Sequence, residues 1–167
     1  MNYILYASIA IILLIIINYI ILNFKKNKEI TKLDIYFKDR WELSQQLAQI
    51  VKPHASHQPD LQKEIDAMLK KTYSKIKKSE LILENIKLEK LLQKMVSIST
   101  FYPDLKFDSD FNNLNNNIIN INKNIELIRP EYNKYVVKYN KTIKNFPYNI
   151  IVKLFNIKQL DEFSSTK

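Results

Sequence analysis

The sequence predicts an all-α protein, in which an N-terminal transmembrane helix is followed by an antiparallel up-and-down four-helix bundle of long helices. Two observations lead to this prediction. The chain begins with a long uncharged apolar stretch, and the apolar residues after it recur at spacings of three and four, which is the period of a helix. We therefore divide the chain into a transmembrane anchor (1–24), a helical bundle (25–147), and a short amphipathic C-terminal segment with a tail (148–167).

The uncharged stretch extends from Tyr3 to Leu22. About 20 apolar residues are enough to cross the hydrocarbon core of a bilayer. A cleaved secretory signal is the alternative, but no basic residue precedes the run, the run is too long, and no small-x-small cleavage site follows it. Lys25, Lys26 and Lys28 come next. Lysines beside a span are retained on the cytoplasmic side, so we expect the C-terminal region to be cytoplasmic.

Four helices are expected after the membrane. The first continues from the span and breaks near Pro53, and the second starts after Pro59. The third ends at Pro103, and the fourth covers about residues 109–145, with Asp108 or Ser109 placed to cap its start. This last helix carries a heptad series typical of a coiled coil. The series consists of Phe111, Leu114, Ile118, Ile121, Ile125, Ile128, Tyr132, Tyr135 and Tyr139.

Composition argues against several classes of function. The 167 residues include neither cysteine nor glycine, so the chain has no disulfide or thiolate site and no glycine loop that cradles phosphates. His54 and His57, with Asp60 and Glu64, are a candidate metal set, but this spacing is common and a solvated turn is the favoured interpretation. No catalytic motif is present. We expect no enzymatic activity, no cofactor and no bound metal.

Three segments of the sequence are specific enough to compare with known families. They are "RWELSQQLAQIVKPHASHQ" (40–58), "FYPDLK" (101–106) and "RPEYNKYVVKYNKTIKNFP" (129–147). All three resemble segments of the LemA family of bacterial membrane proteins. The resemblance covers nearly all of the chain after the anchor. It implies a single N-terminal membrane helix and a helical bundle, at the inner membrane of a bacterial cell envelope. It implies no catalytic residues, and an association with membrane proteases or other envelope proteins.

The chain departs from the family pattern at several polar positions. It has Asp39-Arg40 where the family tends to have paired arginines, Thr100 where the family has Glu, and Asn122-Lys123 where the family has Glu-Asn. We therefore expect a depleted polar network inside the bundle.

The stretch after Pro130 is a candidate membrane-surface or partner contact. A proline inside a helix removes a backbone hydrogen bond, so we expect a bend at Pro130. Beyond it, an aromatic face lies beside lysines, which is the layout of an interfacial helix on anionic lipid. Alternatively, the tyrosines pack on the first helix as core and the lysines are solvated. The contact residues are Tyr132, Tyr135, Lys138, Tyr139, Lys141 and Lys144, and the amphipathic segment 148–160 would extend this surface.

Arg40 lies on the apolar stripe of the first helix. A buried guanidinium needs partners, and we expect Glu84, Glu126 or tyrosine hydroxyls to supply them. The alternative is an arginine that recognises a partner protein at an interface.

The net charge of +9 points to anionic lipid headgroups. Nucleic acid is disfavoured, since the lysines are spread over several helices and no reading motif is present. Our leading hypothesis is a non-enzymatic interaction or scaffold protein anchored in the membrane. The alternative is an adaptor or regulatory subunit of a membrane protease or other envelope enzyme. We expect a membrane or envelope protein partner, and a homo-oligomer is compatible with the sequence.

Overall fold

A computed structural model describes residues 2–163 of the chain. These residues form helices and connecting turns, and no strand occurs among them. The helices are α1 (Asn2–Val51), α2 (Pro59–Lys70), α3 (Leu81–Ile98), α4 (Pro103–Phe107), α5 (Ser109–Lys144) and α6 (Tyr148–Leu154), with short 3-10 turns at Lys52–Ala55 and Tyr73–Lys75. The all-α prediction is confirmed. The antiparallel four-helix arrangement stays a prediction.

Helix α1 is long and apolar enough to cross a membrane, as judged by length and composition. None of its apolar window is buried inside the protein. Large side chains such as Ile4, Leu14 and Ile20 are more than half exposed. A core helix of a soluble protein would bury such residues.

The helix ends follow local signals. Helices α2 and α4 begin at Pro59 and Pro103, which fill the first helical position where no amide hydrogen is needed. Asp108 caps α5, because its carboxylate accepts a 2.7 Å hydrogen bond from the amide of Phe111. Helix α5 covers Ser109–Lys144, so the predicted range of about 109–145 for the last helix is confirmed.

The apolar stripe of Leu61, Ile65, Met68 and Ile76 predicts one helix, and the observed helix α2 is shorter than that stripe. It has 12 residues and ends at Lys70, so Ile76 lies outside it. Lys71 has extended backbone angles, and the chain then makes the 3-10 turn at Tyr73–Lys75. The phenol of Tyr73 donates a hydrogen bond to the side-chain carboxylate of Asp34, at 2.5 Å.

The chain forms two compact units. The terminal unit contains the described residues up to Lys32 and those from Pro130 to Phe163, and the central unit contains Leu33–Arg129. Helices α1 and α5 each contribute residues to both units. The predicted division into anchor (1–24), bundle (25–147) and tail (148–167) stays a prediction.

The central unit has an apolar core to which all five of its helical segments contribute. Buried members include Leu47 and Val51 from α1, Ile65 from α2, Met95 from α3 and Ile118 from α5. Leu105 adds the contribution of α4. Each helix has one apolar stripe, and the five stripes bury one another.

The buried face of α5 departs from the predicted heptad series in one respect. The positions from Phe111 to Tyr139 that are spaced by seven are buried, as expected. Beyond Ile125, however, the second buried row consists of Arg129, Val136 and Ile143, whereas Ile128 and Tyr135 are only half-buried. A straight helix drifts by about 20° per heptad against a repeat of seven, which shifts the buried row by one residue.

Helix α5 continues through Pro130. Proline has no amide hydrogen, so the carbonyl of Glu126 lacks its usual helical donor there. The bend expected at this position stays a prediction.

Candidate functional site

Two Tyr-Asn pairs at the end of α5, Tyr132-Asn133 and Tyr139-Asn140, hold the C-terminal segment of the chain. The carboxamide of Asn140 donates a hydrogen bond to the carbonyl of Leu160 at 2.8 Å and accepts one from the amide of the same residue at 2.9 Å. Asn133 makes the same pair of bonds with Phe163, at 2.9 and 2.8 Å. We call Asn133 and Asn140 the asparagine clamp, and residues 157–163 the strap.

The spacing of the clamp matches that of the strap. Seven residues of α-helix rise about 10.5 Å, and three residues of extended chain cover about 10 Å. The two asparagines therefore meet Leu160 and Phe163, which are three residues apart. Both clamp residues bind backbone atoms only. The clamp thus fixes an extended conformation of the strap, and its hydrogen bonds do not depend on which side chains the strap carries.

Side-chain packing sets the position of the strap along the clamp. Phe163 is fully buried and Leu160 is half-buried, whereas Lys158, Gln159, Asp161 and Glu162 are exposed. A shift of the strap by one residue would expose Phe163 and bury a charged neighbour, which is costly. The clamp and the apolar side chains therefore favour the same register.

Tyr132 and Tyr139 are buried within the protein, with 3% and 1% of their surface exposed. The phenol of Tyr132 donates a hydrogen bond to the carbonyl of Asp161 at 3.2 Å. Burial, with a smaller contribution from the charge of Asp161, raises the pKa of Tyr132 to about 12. This phenol therefore remains a hydrogen-bond donor throughout the physiological pH range.

The start of α1 also contacts this region of the terminal unit. The phenol of Tyr135 donates a hydrogen bond to the carbonyl of Leu22 at 3.2 Å. The ring of Tyr19 stacks on that of Phe155, with 6.3 Å between centroids. Glu131 lies 4.0 Å from Lys32. The end of the uncharged stretch is thus covered by α5 and by the residue that follows α6.

The structure separates the predicted contact residues into two groups. Tyr132 and Tyr139 are buried and Tyr135 is half-buried, as the core interpretation of the tyrosines expects. Lys138, Lys141 and Lys144 are exposed. Within the described residues, no side chain pairs with these lysines, so they are free to contact lipid. The predicted contact of this surface with a membrane or another protein stays a prediction.

Arg40 lies in the central unit, with 1% of its surface exposed. Its guanidinium donates hydrogen bonds to the side chain of Asn122 at 3.0 Å, and to the carbonyl and the side chain of Asn85 at 3.1 and 2.9 Å. The carboxamide of Asn85 donates in turn to the carbonyl of Leu81, at 2.9 Å. Arg40 therefore connects α1, α3 and α5 through amide groups.

The expected hydrogen-bond partners of Arg40 are wrong. Glu84 pairs with Lys71 and Lys87, and Glu126 pairs with Arg129 at 2.5 Å. The amides of Asn85 and Asn122 take their place, because both project toward Arg40 while Glu84 projects toward lysines near the surface. Asn122 is one of the positions at which the chain departs from the family pattern, and there we expect the polar network inside the bundle to be depleted. Asn122 nevertheless accepts a hydrogen bond from Arg40.

Burial lowers the pKa of Arg40 to about 10, and the charge of Glu89 opposes this effect. Arg40 still carries its charge at neutral pH. Its Nε atom is buried without a hydrogen-bond acceptor, and one carboxylate oxygen of Glu89 is buried without a donor. The cluster therefore has a cost in solvation.

The candidate metal set near the end of α1 is not brought together. The ring of His54 lies against that of Tyr102, at 5.3 Å between centroids, and Glu64 pairs with Lys94 at 2.7 Å. His57 is exposed. Within residues 2–163 no group of three or more His, Cys, Asp and Glu side chains is placed to hold a metal ion.

The comparison with protein families decides the classification of the chain. The family model described as LemA family matches residues 29–167. The chain belongs to the LemA family. The match covers the second part of α1 and every later helix, so the Arg40 cluster, the asparagine clamp and the strap of this LemA protein all lie within it. No curated protein and no solved structure matches the chain.

Sequence reasoning missed the role of Asn133 and Asn140. Both Tyr-Asn pairs lie in a segment that resembles the family, and the candidate contact residues in that segment are tyrosines and lysines only. The heptad spacing of the two asparagines on one helix face was the available signal. The strap, which the two asparagines bind, has no periodicity that would identify it from sequence alone.

Proposed function

We propose that this LemA protein is a non-enzymatic interaction or scaffold protein, anchored in the bacterial inner membrane by the start of α1. The observation that carries the proposal is the uncharged stretch from Tyr3 to Leu22, in which most of the described large side chains are exposed in the folded chain. Such a surface has a high free energy in water and a low one in hydrocarbon. The lysines after Phe24 favour a cytoplasmic location for the rest of the chain.

The proposal includes an antiparallel bundle in which α5 returns along α1 toward the membrane. Two contacts of the terminal unit support it. Lys32 of α1 faces Glu131 of α5, and Leu22, which is closer to the N-terminus, faces Tyr135, which is further along α5. The end of α5 then lies at the membrane surface, where Lys138, Lys141 and Lys144 meet anionic headgroups. Each such lysine contributes about 1 kcal/mol of attraction.

A second candidate function is that of an adaptor for a membrane protease or other envelope enzyme. A groove of the central unit favours it. The groove has a volume of about 380 Å³ and lies between α2 and α3. Buried Met68 and Leu91 line it. So do four lysines and two glutamates, of which Glu84 pairs with Lys71 and Lys87, Glu64 pairs with Lys94, and Lys90 is the remaining lysine. An apolar lining flanked by lysines suits an amphipathic acidic segment of a partner protein.

Crosslinking in intact membranes separates the two functions. A photoreactive group placed at Lys90, in the groove, is compared with one at Lys138, on α5. Capture of one dominant membrane enzyme from Lys90 supports the adaptor. Lipid capture from Lys138, with no dominant protein from either position, supports the scaffold. If neither position captures lipid or protein, both proposed functions are refuted.

Protease accessibility tests the orientation. In inverted membrane vesicles the region after α1 faces the added protease and is digested, whereas in spheroplasts it is protected. Digestion in spheroplasts alone would refute the cytoplasmic location.

A further inference from the structure

Helix α6 and its flanks carry an exposed apolar face. Ile150 and Leu154 are one turn apart on the same side of the helix, and they are 50% and 75% exposed. Phe146 precedes the helix and Phe155 follows it, and both are at least 70% exposed. On the other side, Ile151 is half-buried. The helix thus presents one apolar side to its surroundings, within a stretch too short to cross a bilayer.

This face lies next to the uncharged stretch of α1. The ring of Phe155 stacks on that of Tyr19, and Tyr19 lies before Leu22, where the stretch ends. Lys25, the first charged residue, is six residues further along, which is about 9 Å along the helix axis. The end of α6 is therefore level with residues of the span and not with the lysines. Interfacial helices bury their apolar faces about 5–10 Å into the boundary between headgroups and acyl chains.

The strap fixes this position. It begins three residues after α6, and the asparagine clamp ties it to α5. Helix α6 is thus connected at both ends, to the end of α5 through Asn145–Pro147 and to the strap. Lys144, Lys153 and Lys158 flank the apolar face and are exposed, a charge that complements anionic headgroups.

We infer that α6 is a second membrane contact, in which Phe146, Ile150, Leu154 and Phe155 insert into the headgroup–acyl boundary beside the span. The occupant of this face is lipid, because the face is continuous with the uncharged stretch and is flanked by lysines. This inference rests on the proposed membrane anchoring. It adds that the end of α5 is held at a fixed depth in the boundary between headgroups and acyl chains.

A single fluorescent label tests the inference, since the chain contains no cysteine. Leu154→Cys, labelled with an environment-sensitive fluorophore, is prepared in the full-length protein in vesicles of phosphatidylethanolamine and phosphatidylglycerol. Leu13→Cys, in the span, is the control for lipid. Leu127→Cys on α5 is the matched control for water, because Leu127 is also a leucine that is 75% exposed. A label at Ile150→Cys repeats the measurement at a second position of α6.

We expect lipid-attached quenchers to reduce the Leu154→Cys and Ile150→Cys signals at least half as strongly as the Leu13→Cys signal. Iodide in the water should quench the Leu127→Cys label several-fold more than either α6 label. If iodide quenches the α6 labels as strongly as Leu127→Cys while Leu13→Cys remains in lipid, the inference is refuted and the anchor stands. Protection of the α6 labels from both quenchers would mean that protein covers the face, which also refutes a lipid occupant. A Leu13→Cys label in water refutes the proposed function itself.

Discussion

Replacing Asn140 with alanine should open the strap without unfolding the protein. Asn140 makes two hydrogen bonds with Leu160, and the substitution removes both. A hydrogen bond of this kind contributes about 0.5–1.5 kcal/mol net. The free energy that opposes opening of the strap should therefore fall by about 1–3 kcal/mol, which corresponds to roughly 5- to 150-fold faster amide exchange at Leu160.

Hydrogen exchange resolved at single residues measures this effect in the full-length protein in vesicles. Asn116→Ala is the matched control, because Asn116 is an exposed asparagine of the same helix and the change brings the same gain of helix propensity. Asn133→Ala should act on the amide of Phe163 instead, whose acceptor it removes. If Asn140→Ala leaves exchange at Leu160 as slow as Asn116→Ala does, the asparagine clamp does not hold the strap.

Three further results are expected. Arg40→Lys should lower the free energy of unfolding by about 1–3 kcal/mol, because lysine cannot reach Asn85 and Asn122 with one planar group; equal denaturation midpoints would contradict this role. Lys71 and Lys87 hold the pKa of Glu84 below its usual value despite the opposing effect of burial, so Glu84→Gln should destabilise the protein at neutral pH and match the wild type once the pH falls below the lowered pKa. A constant difference across that range would refute the ion pairs. Acylation of Lys138, Lys141 and Lys144 should be slower in anionic than in zwitterionic vesicles. The rate in anionic vesicles should recover in 1 M salt, which shortens the screening length to about 3 Å. Equal rates in the two kinds of vesicle would argue against lipid contact.

The limits of the helices were predictable because their signals are local. A proline at the first position of α2, and an aspartate before α5, act within one turn of the helix. The periodicity of α5 also predicted most of its buried face. It failed at Arg129, which is buried in place of Ile128, since a repeat of seven read from sequence does not include the drift of a straight helix.

The contacts of the polar side chains were not predictable in the same way. Asn85, Asn122, Asn133 and Asn140 all lie on helices in a chain rich in asparagine, and their sequence contexts do not distinguish them from exposed asparagines such as Asn116. The tertiary structure distinguishes them, because it places the guanidinium of Arg40 beside Asn85 and Asn122, and the backbone of the strap beside Asn133 and Asn140. For the same reason, the spacing of the tyrosines of α5 fits both an interfacial and a buried face.

The central claim is that the uncharged start of α1 resides in lipid. The most direct test is to express the full-length chain, verify by mass spectrometry that its N-terminus is intact, and extract the membranes with alkaline carbonate. We predict that the intact protein remains with the lipid and requires detergent for release. Recovery of the same uncleaved chain as a monodisperse species in detergent-free buffer would contradict the account.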